Sequence, residues 1–307
     1  MVDQAERLRA IIQGQNNFAV SSREKISRVI VVASGKGGVG KTNLVVNLAI
    51  AMSQLGKKVA ILDSDLGMAN VDILLDLKAK YSLVDVVQGR KELDEIILQG
   101  PFNIEVVPGG SCIPEVVSLD SGQRESFISR LSRLEEENNI ILVDCPAGLS
   151  RNVLSYIAAA DELVLVTTPE PTAITDVYGI IKIVNNYKLH SSVKLVVNMI
   201  HRNKDGETVY KRIARVCHNF LDIEPVFLGN IDYDQHVHKA VLNCYPYMMQ
   251  FPRSRAAQCT RDIAHRLLHD GELPPAEEQK SGGFLRRMLN LWKRSPEQGA
   301  SSAGKKE

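Results

Sequence analysis

Apolar residues fall in short unbroken runs along this chain, with longer stretches of mixed polarity between them. Val29-Ile30-Val31-Val32, Val59-Ala60-Ile61-Leu62 and Ile140-Ile141-Leu142-Val143 show no polar alternation. A strand that is apolar at successive positions is covered on both faces, the condition of a parallel sheet held between helix layers. Further strands are predicted at residues 104–107, 163–167, 194–197 and 226–228, with helical spacing between most of them. One such helix runs over residues 43–55 and stops at Gly56, a residue type that ends helices. The alternation predicts an α/β fold with a doubly wound, mostly parallel sheet flanked by helices. Ligands of such sheets sit beyond the carboxyl ends of the strands.

The last apolar pattern differs. Placed at about 100° per residue, Phe284, Leu285, Met288, Leu289, Leu291 and Trp292 gather on one side, and Arg286, Arg287, Lys293 and Arg294 on the other. The preceding residues 271–283 contain Pro274-Pro275 and Gly282-Gly283 and read as a linker. A basic amphipathic helix at 284–294 is suited to the interface of an anionic bilayer, and two of them in a dimer bind better than one. The other outcome of such a pattern is a helix docked on its own domain or on a partner protein; linker and basic face favour lipid. Residues 295–307 read as a disordered tail.

A chain of 307 residues with 44% hydrophobic content buries a substantial core, here assigned to one domain over residues 26–270. The formal net charge of +1 argues against a globally basic nucleic-acid binder, so no direct nucleic-acid contact is expected. Cys112, Cys145, Cys217, Cys244 and Cys259 form no C-x-x-C pair, which excludes a sequence-evident zinc or iron–sulfur site. With no apolar signal core or spanning run, the expected location is the cytoplasm, peripheral on the inner face of the cell membrane.

The first strand runs into Gly35-Lys36-Gly37-Gly38-Val39-Gly40-Lys41-Thr42, and Asn43 follows in the helix. Strand, glycine turn and helix start make a phosphate cradle, because successive N–H groups converge on anionic oxygens. Lys41 holds the phosphate-binding position and Thr42 the Mg²⁺ position of such a P-loop. Lys36 is a second cation that an ordinary cradle does not need, and it suggests contact with a phosphate held elsewhere. Asp63 and Asp65 follow the second strand, where two carboxylates suit Mg²⁺-bound water and an attacking water. Asp144 ends an apolar strand in the place that supports the metal, and Gly148 after it permits backbone to approach a γ-phosphate. Asn198 ends the strand at 194–197 and offers an amide suited to a purine edge, although asparagine also ends strands as a turn residue.

These motifs together resemble the deviant Walker A ATPases that include MinD and ParA, over residues from about Ser27 to Asp270. The resemblance implies a P-loop NTPase that uses ATP and Mg²⁺ and closes as a face-to-face homodimer over two nucleotides. It implies that Lys36 reaches the partner's ATP, Lys41 binds phosphate and Thr42 binds Mg²⁺. Asp65 would activate water, Asp63 and Asp144 hold the metal shell, and Asn198 read adenine. One departure is Ile231-Asp232-Tyr233-Asp234, where relatives carry Ile-Pro.

The N-terminal residues 1–25 carry Asp3, Gln4, Ala5, Leu8 and Arg9 in a D-Q-A-x-x-L-R order. That order resembles the activator segment of the FlhG (FleN) family of flagellar-number regulators, which stimulates the GTPase FlhF. Leu66-Gly67-Met68-Ala69-Asn70-Val71-Asp72 and Glu170-Pro171-Thr172-Ala173-Ile174-Thr175-Asp176 match the same family. The implied partners are FlhF, the flagellar C-ring proteins FliM and FliN, and a master transcription activator of the FleQ/FlrA type. The competing expectations are a MinD-type division-site regulator and a ParA-type DNA- or cargo-positioning ATPase.

Overall fold

The computed structural model describes residues 27–65, 70–109, 120–201, 206–269 and 283–293. The N-terminal arm, the loop 66–69, most of the linker and the tail lie outside the described residues. An eight-stranded sheet forms the centre, in the order β3-β4-β2-β5-β1-β6-β7-β8. Its strands are β1 Arg28–Ala33, β2 Val59–Asp63, β3 Leu98–Gln99, β4 Glu105–Pro108, β5 Ile140–Asp144, β6 Glu162–Thr167, β7 Val193–Ile200 and β8 Pro225–Asp232. Every pairing is parallel except β3 with β4. The two-residue β3 is the strand that the apolar pattern does not predict, since Leu98 is half-buried and Gln99 exposed.

The longer helices are α1 Lys41–Gln54, α2 Ser121–Glu137, α3 Arg151–Ala159, α4 Pro171–Asn186, α5 Gly206–Phe220, α6 Gln235–Leu242, α7 Arg255–His269 and α8 Phe284–Lys293. Successive strand residues send side chains to opposite faces, so Val29 and Val31 enter one core while Ile30 and Val32 enter the other. Helix α1 is buried almost throughout, between the sheet and α7, which is why its sequence is apolar on nearly every side. Two local caps start helices where the chain leaves the core: Asp120 with Gln123 forms a reciprocal capping box for α2, and Ser150 caps α3.

Helix α8 lies against α3 and α2, with Phe284, Met288 and Leu291 buried in the same core as Val29 and Val31. The apolar face at those three positions is thus covered by the domain itself, the outcome that the linker and basic face argued against. Arg287 also departs from its expected place on a solvated face. It is 4% exposed, donates from Nε to the Ala159 carbonyl at 2.7 Å, and pairs with Asp161 at 2.8 Å. Asp161 in turn accepts the N–H of Val29 at the start of β1. Arg286 remains exposed and faces Glu125. The side chains of Leu285, Leu289 and Trp292 lie outside the described set.

Candidate active site

Beyond the carboxyl end of β1 the chain turns through residues 34–40 into α1. Gly38 and Gly40 adopt left-handed backbone, with φ of 79° and 85°, which a glycine enters without strain. Gly40 is the N-cap of α1 and supplies no side-chain cap, so the first amides of the helix stay open to an anion. Gly35 meets a different demand: a Cβ there would lie 2.4 Å from Cβ of Asp176 on α4. The turn borders a cavity of about 550 Å³ lined by residues 36–43, Asp65, Asn198 and a wall from β8 and α6.

Lys41 is 8% exposed and forms a close ion pair with Asp144, the last residue of β5. Burial raises the Asp144 pKa, and Lys41 opposes that shift. The second carboxylate oxygen of Asp144 is buried without a hydrogen-bond partner among the described residues. Thr42 stands beside the same carboxylate. An orphaned anionic oxygen next to a hydroxyl, at the base of a phosphate cradle, suits a hard divalent cation such as Mg²⁺. Asp63 accepts N–H groups from Asp65, Asn70 and Val71, and so anchors both ends of the loop that carries Asp65. Its pKa is raised to about 6, first by burial and then by the Asp144 charge. Asp63 and Asp144 sit opposite each other in neighbouring strands, which brings two sequence-distant acids to one edge.

Lys36 borders the same cavity and is tied to the start of α4. Its Nζ lies 2.6 Å from Glu170 Oε2 and 3.3 Å from Thr172 Oγ1, at the start of α4. Gly148, read as permitting backbone to approach a γ-phosphate, donates its N–H to the Ser34 carbonyl at 2.8 Å, which ties the β5 loop to the phosphate turn. Cys145 is buried and its thiol is pushed up to about 12 by desolvation, consistent with core filling. The wall opposite the cradle was not assigned from sequence. It comprises Ile231, Tyr233, Val237, His238 and Val241, and Tyr233 stacks on His201 with centroids 4.6 Å apart. The departure at Asp232 has a structural role, since its carboxylate pairs with Arg255 and accepts from Asn230.

The ParA family model, described as NUBPL iron-transfer P-loop NTPase, matches residues 25–268. The antiactivator FleN of Pseudomonas aeruginosa is 39% identical over 240 residues, covering 78% of this chain and 86% of that protein. This chain belongs to the MinD/ParA family of P-loop ATPases. The flagellum site-determining protein YlxH of Helicobacter pylori is 31% identical over 294 residues, covering 94% and 99% of the two chains. Among solved structures, the septum site-determining protein MinD of Pyrococcus horikoshii, complexed with Mg-ADP, aligns with a TM-score of 0.63. That likeness has 26% identity and covers 78% of this chain and 96% of that one. This MinD/ParA ATPase is therefore an ATP-binding member related to the FleN and FlhG flagellar regulators.

Proposed function

We propose that this ATPase is a nucleotide-operated switch that regulates flagellar number and placement. ATP closes a homodimer, the dimer attaches to the anionic inner surface of the cell membrane through α8, and hydrolysis resets the protein. Lys41 and the loop amides hold phosphate oxygens, while Asp65 orients the attacking water. Thr42 and Asp144 would hold Mg²⁺, with Asp63 behind them; the bound ion neutralises charge developing on the transferred phosphoryl group. The observation that carries the dimer is Lys36, a second cation of the phosphate turn, half-exposed and paired with an exposed carboxylate where Lys41 is paired with a buried one. A cation so placed suits a nucleotide bound by a second copy.

The membrane step requires α8 to leave its groove, and its buried Arg287–Asp161 pair makes undocking a discrete event. The arm residues Asp3, Gln4, Ala5, Leu8 and Arg9 lie outside the described residues. Their order supports a segment that stimulates FlhF, with FliM, FliN and a master activator as further partners. Similarity to FleN and YlxH supports the flagellar assignment.

Light scattering with a non-hydrolysable ATP analogue tests the switch: the wild-type chain should double in mass and Lys36→Ala should remain a monomer. A wild-type monomer at saturating analogue removes the dimer. GTP hydrolysis by FlhF with a peptide of residues 1–15 tests the arm, and stimulation should vanish when Gln4 is replaced. The second reading, a MinD-type division-site regulator, is favoured by the likeness to MinD. It predicts that deleting residues 1–15 spares flagellation and disturbs septum placement.

A further inference from the structure

The resemblance assigns Asn198 to the adenine base; in the structure its amide is bonded to the backbone of the phosphate loop. Register between β7 and β8 shifts twice: first between Leu195 and Val196, where β8 skips Leu228, and again after Val197 and Asn230, resuming at Ile200 and Asp232. Two residues of β7, Asn198 and Met199, thus oppose the single residue Ile231. The extra residue is a β-bulge, and Met199 takes up the distortion with φ of 59°. Bulges beside active sites re-aim a side chain, and this one turns Asn198 beneath the phosphate loop.

Asn198 is 9% exposed. Its Nδ2 donates to the Val39 carbonyl at 2.8 Å, and its Oδ1 accepts the Met199 N–H at 2.8 Å. Two backbone bonds therefore set the plane of the amide. The same Nδ2 occupies the space above Gly40, where a Cβ would approach it to 2.4 Å. Gly40 is the residue from which α1 starts. Asn198 thus touches the loop at the carbonyl before its last left-handed turn and at the turn itself, through a buried contact 159 residues apart in sequence.

We propose that Asn198 is a positioning residue that holds the phosphate loop in its anion-binding shape. Its contribution to nucleotide affinity runs through the phosphates rather than through recognition of the base. Tyr233, 54% exposed on the opposite wall, is the side chain placed to act on the base. The inference needs only nucleotide binding, so it stands or falls independently of the dimer and the membrane step.

Calorimetry with Mg-ADP and with Mg-tripolyphosphate, which has the anion and no base, separates the two roles. Asn198→Ala is neutral, so no new charge acts on the anion. It should weaken both ligands by a similar factor, about tenfold or more for a lost buried hydrogen bond. Tyr233→Ala should weaken Mg-ADP alone. Hydrogen exchange in the ligand-free protein gives a second readout: amides of residues 37–42 should exchange faster in Asn198→Ala, with the distant sheet unchanged. Should that variant fail to fold, Asn198→Ser carries the same two measurements. Loss of Mg-ADP affinity with wild-type tripolyphosphate binding, or unchanged exchange in the loop, would overturn the proposal.

Discussion

Replacing Arg287 by alanine should free α8 and drive the nucleotide-free protein onto anionic vesicles. Burial of Phe284, Met288 and Leu291 contributes about 1.5–3 kcal/mol each. With so few described apolar side chains buried on a 10-residue helix, a buried ion pair is a large share of what holds it. The Arg287–Asp161 pair can therefore decide docking. Removing one partner of a buried pair costs about 3–5 kcal/mol. Asp161 keeps the Val29 N–H as a partner, which favours the lower end, about 3 kcal/mol or roughly a hundredfold in the docked-to-free ratio. The lost positive charge weakens attraction to an anionic surface by only about 1 kcal/mol. The net expectation is about thirtyfold more vesicle-bound protein without nucleotide. Flotation with phosphatidylserine vesicles reads the binding, and hydrogen exchange over residues 284–293 reads the undocking. Unchanged exchange would show that the pair does not hold the helix. Faster exchange with no gain in flotation would remove α8 as the lipid anchor.

Two further outcomes follow from the site. Glu170→Gln releases Lys36 from an exposed pair of about 0.2–1 kcal/mol. The ATP-analogue dimer should then form at a several-fold lower protein concentration in scattering, and an equal or weaker dimer would show that the pair does not restrain Lys36. Asp63 binds its proton more tightly in the native state, at about 6 against 3.8. Its contribution to stability is therefore fully present below pH 3.8 and lost as pH rises through about 6, a change of at most about 3 kcal/mol. Urea unfolding of the nucleotide-free protein at several pH values should show this fall in wild type and not in Asp63→Asn; parallel curves would refute it.

The sheet and the phosphate cradle were legible in the chain because both are local. Val29-Ile30-Val31-Val32 is apolar at consecutive positions whatever it packs against, and the glycines at 38 and 40 mark left-handed turns wherever they occur. Asp63 and Asp144 could be ranked as acids ending apolar strands; their juxtaposition required the pairing of β2 with β5. Three features were beyond sequence reasoning. The role of Asn198 depends on a bulge, and a bulge is a mismatch between two strands that neither strand states alone. Lys36 and Glu170 meet because α4 returns across the phosphate turn, 134 residues later. Amphipathicity at 284–291 announces that a face will be covered and says nothing about by what, because lipid and a hydrophobic groove remove the same area from water. The groove between α2 and α3, with Asp161 beneath it to receive a buried guanidinium, exists only once the fold has assembled it.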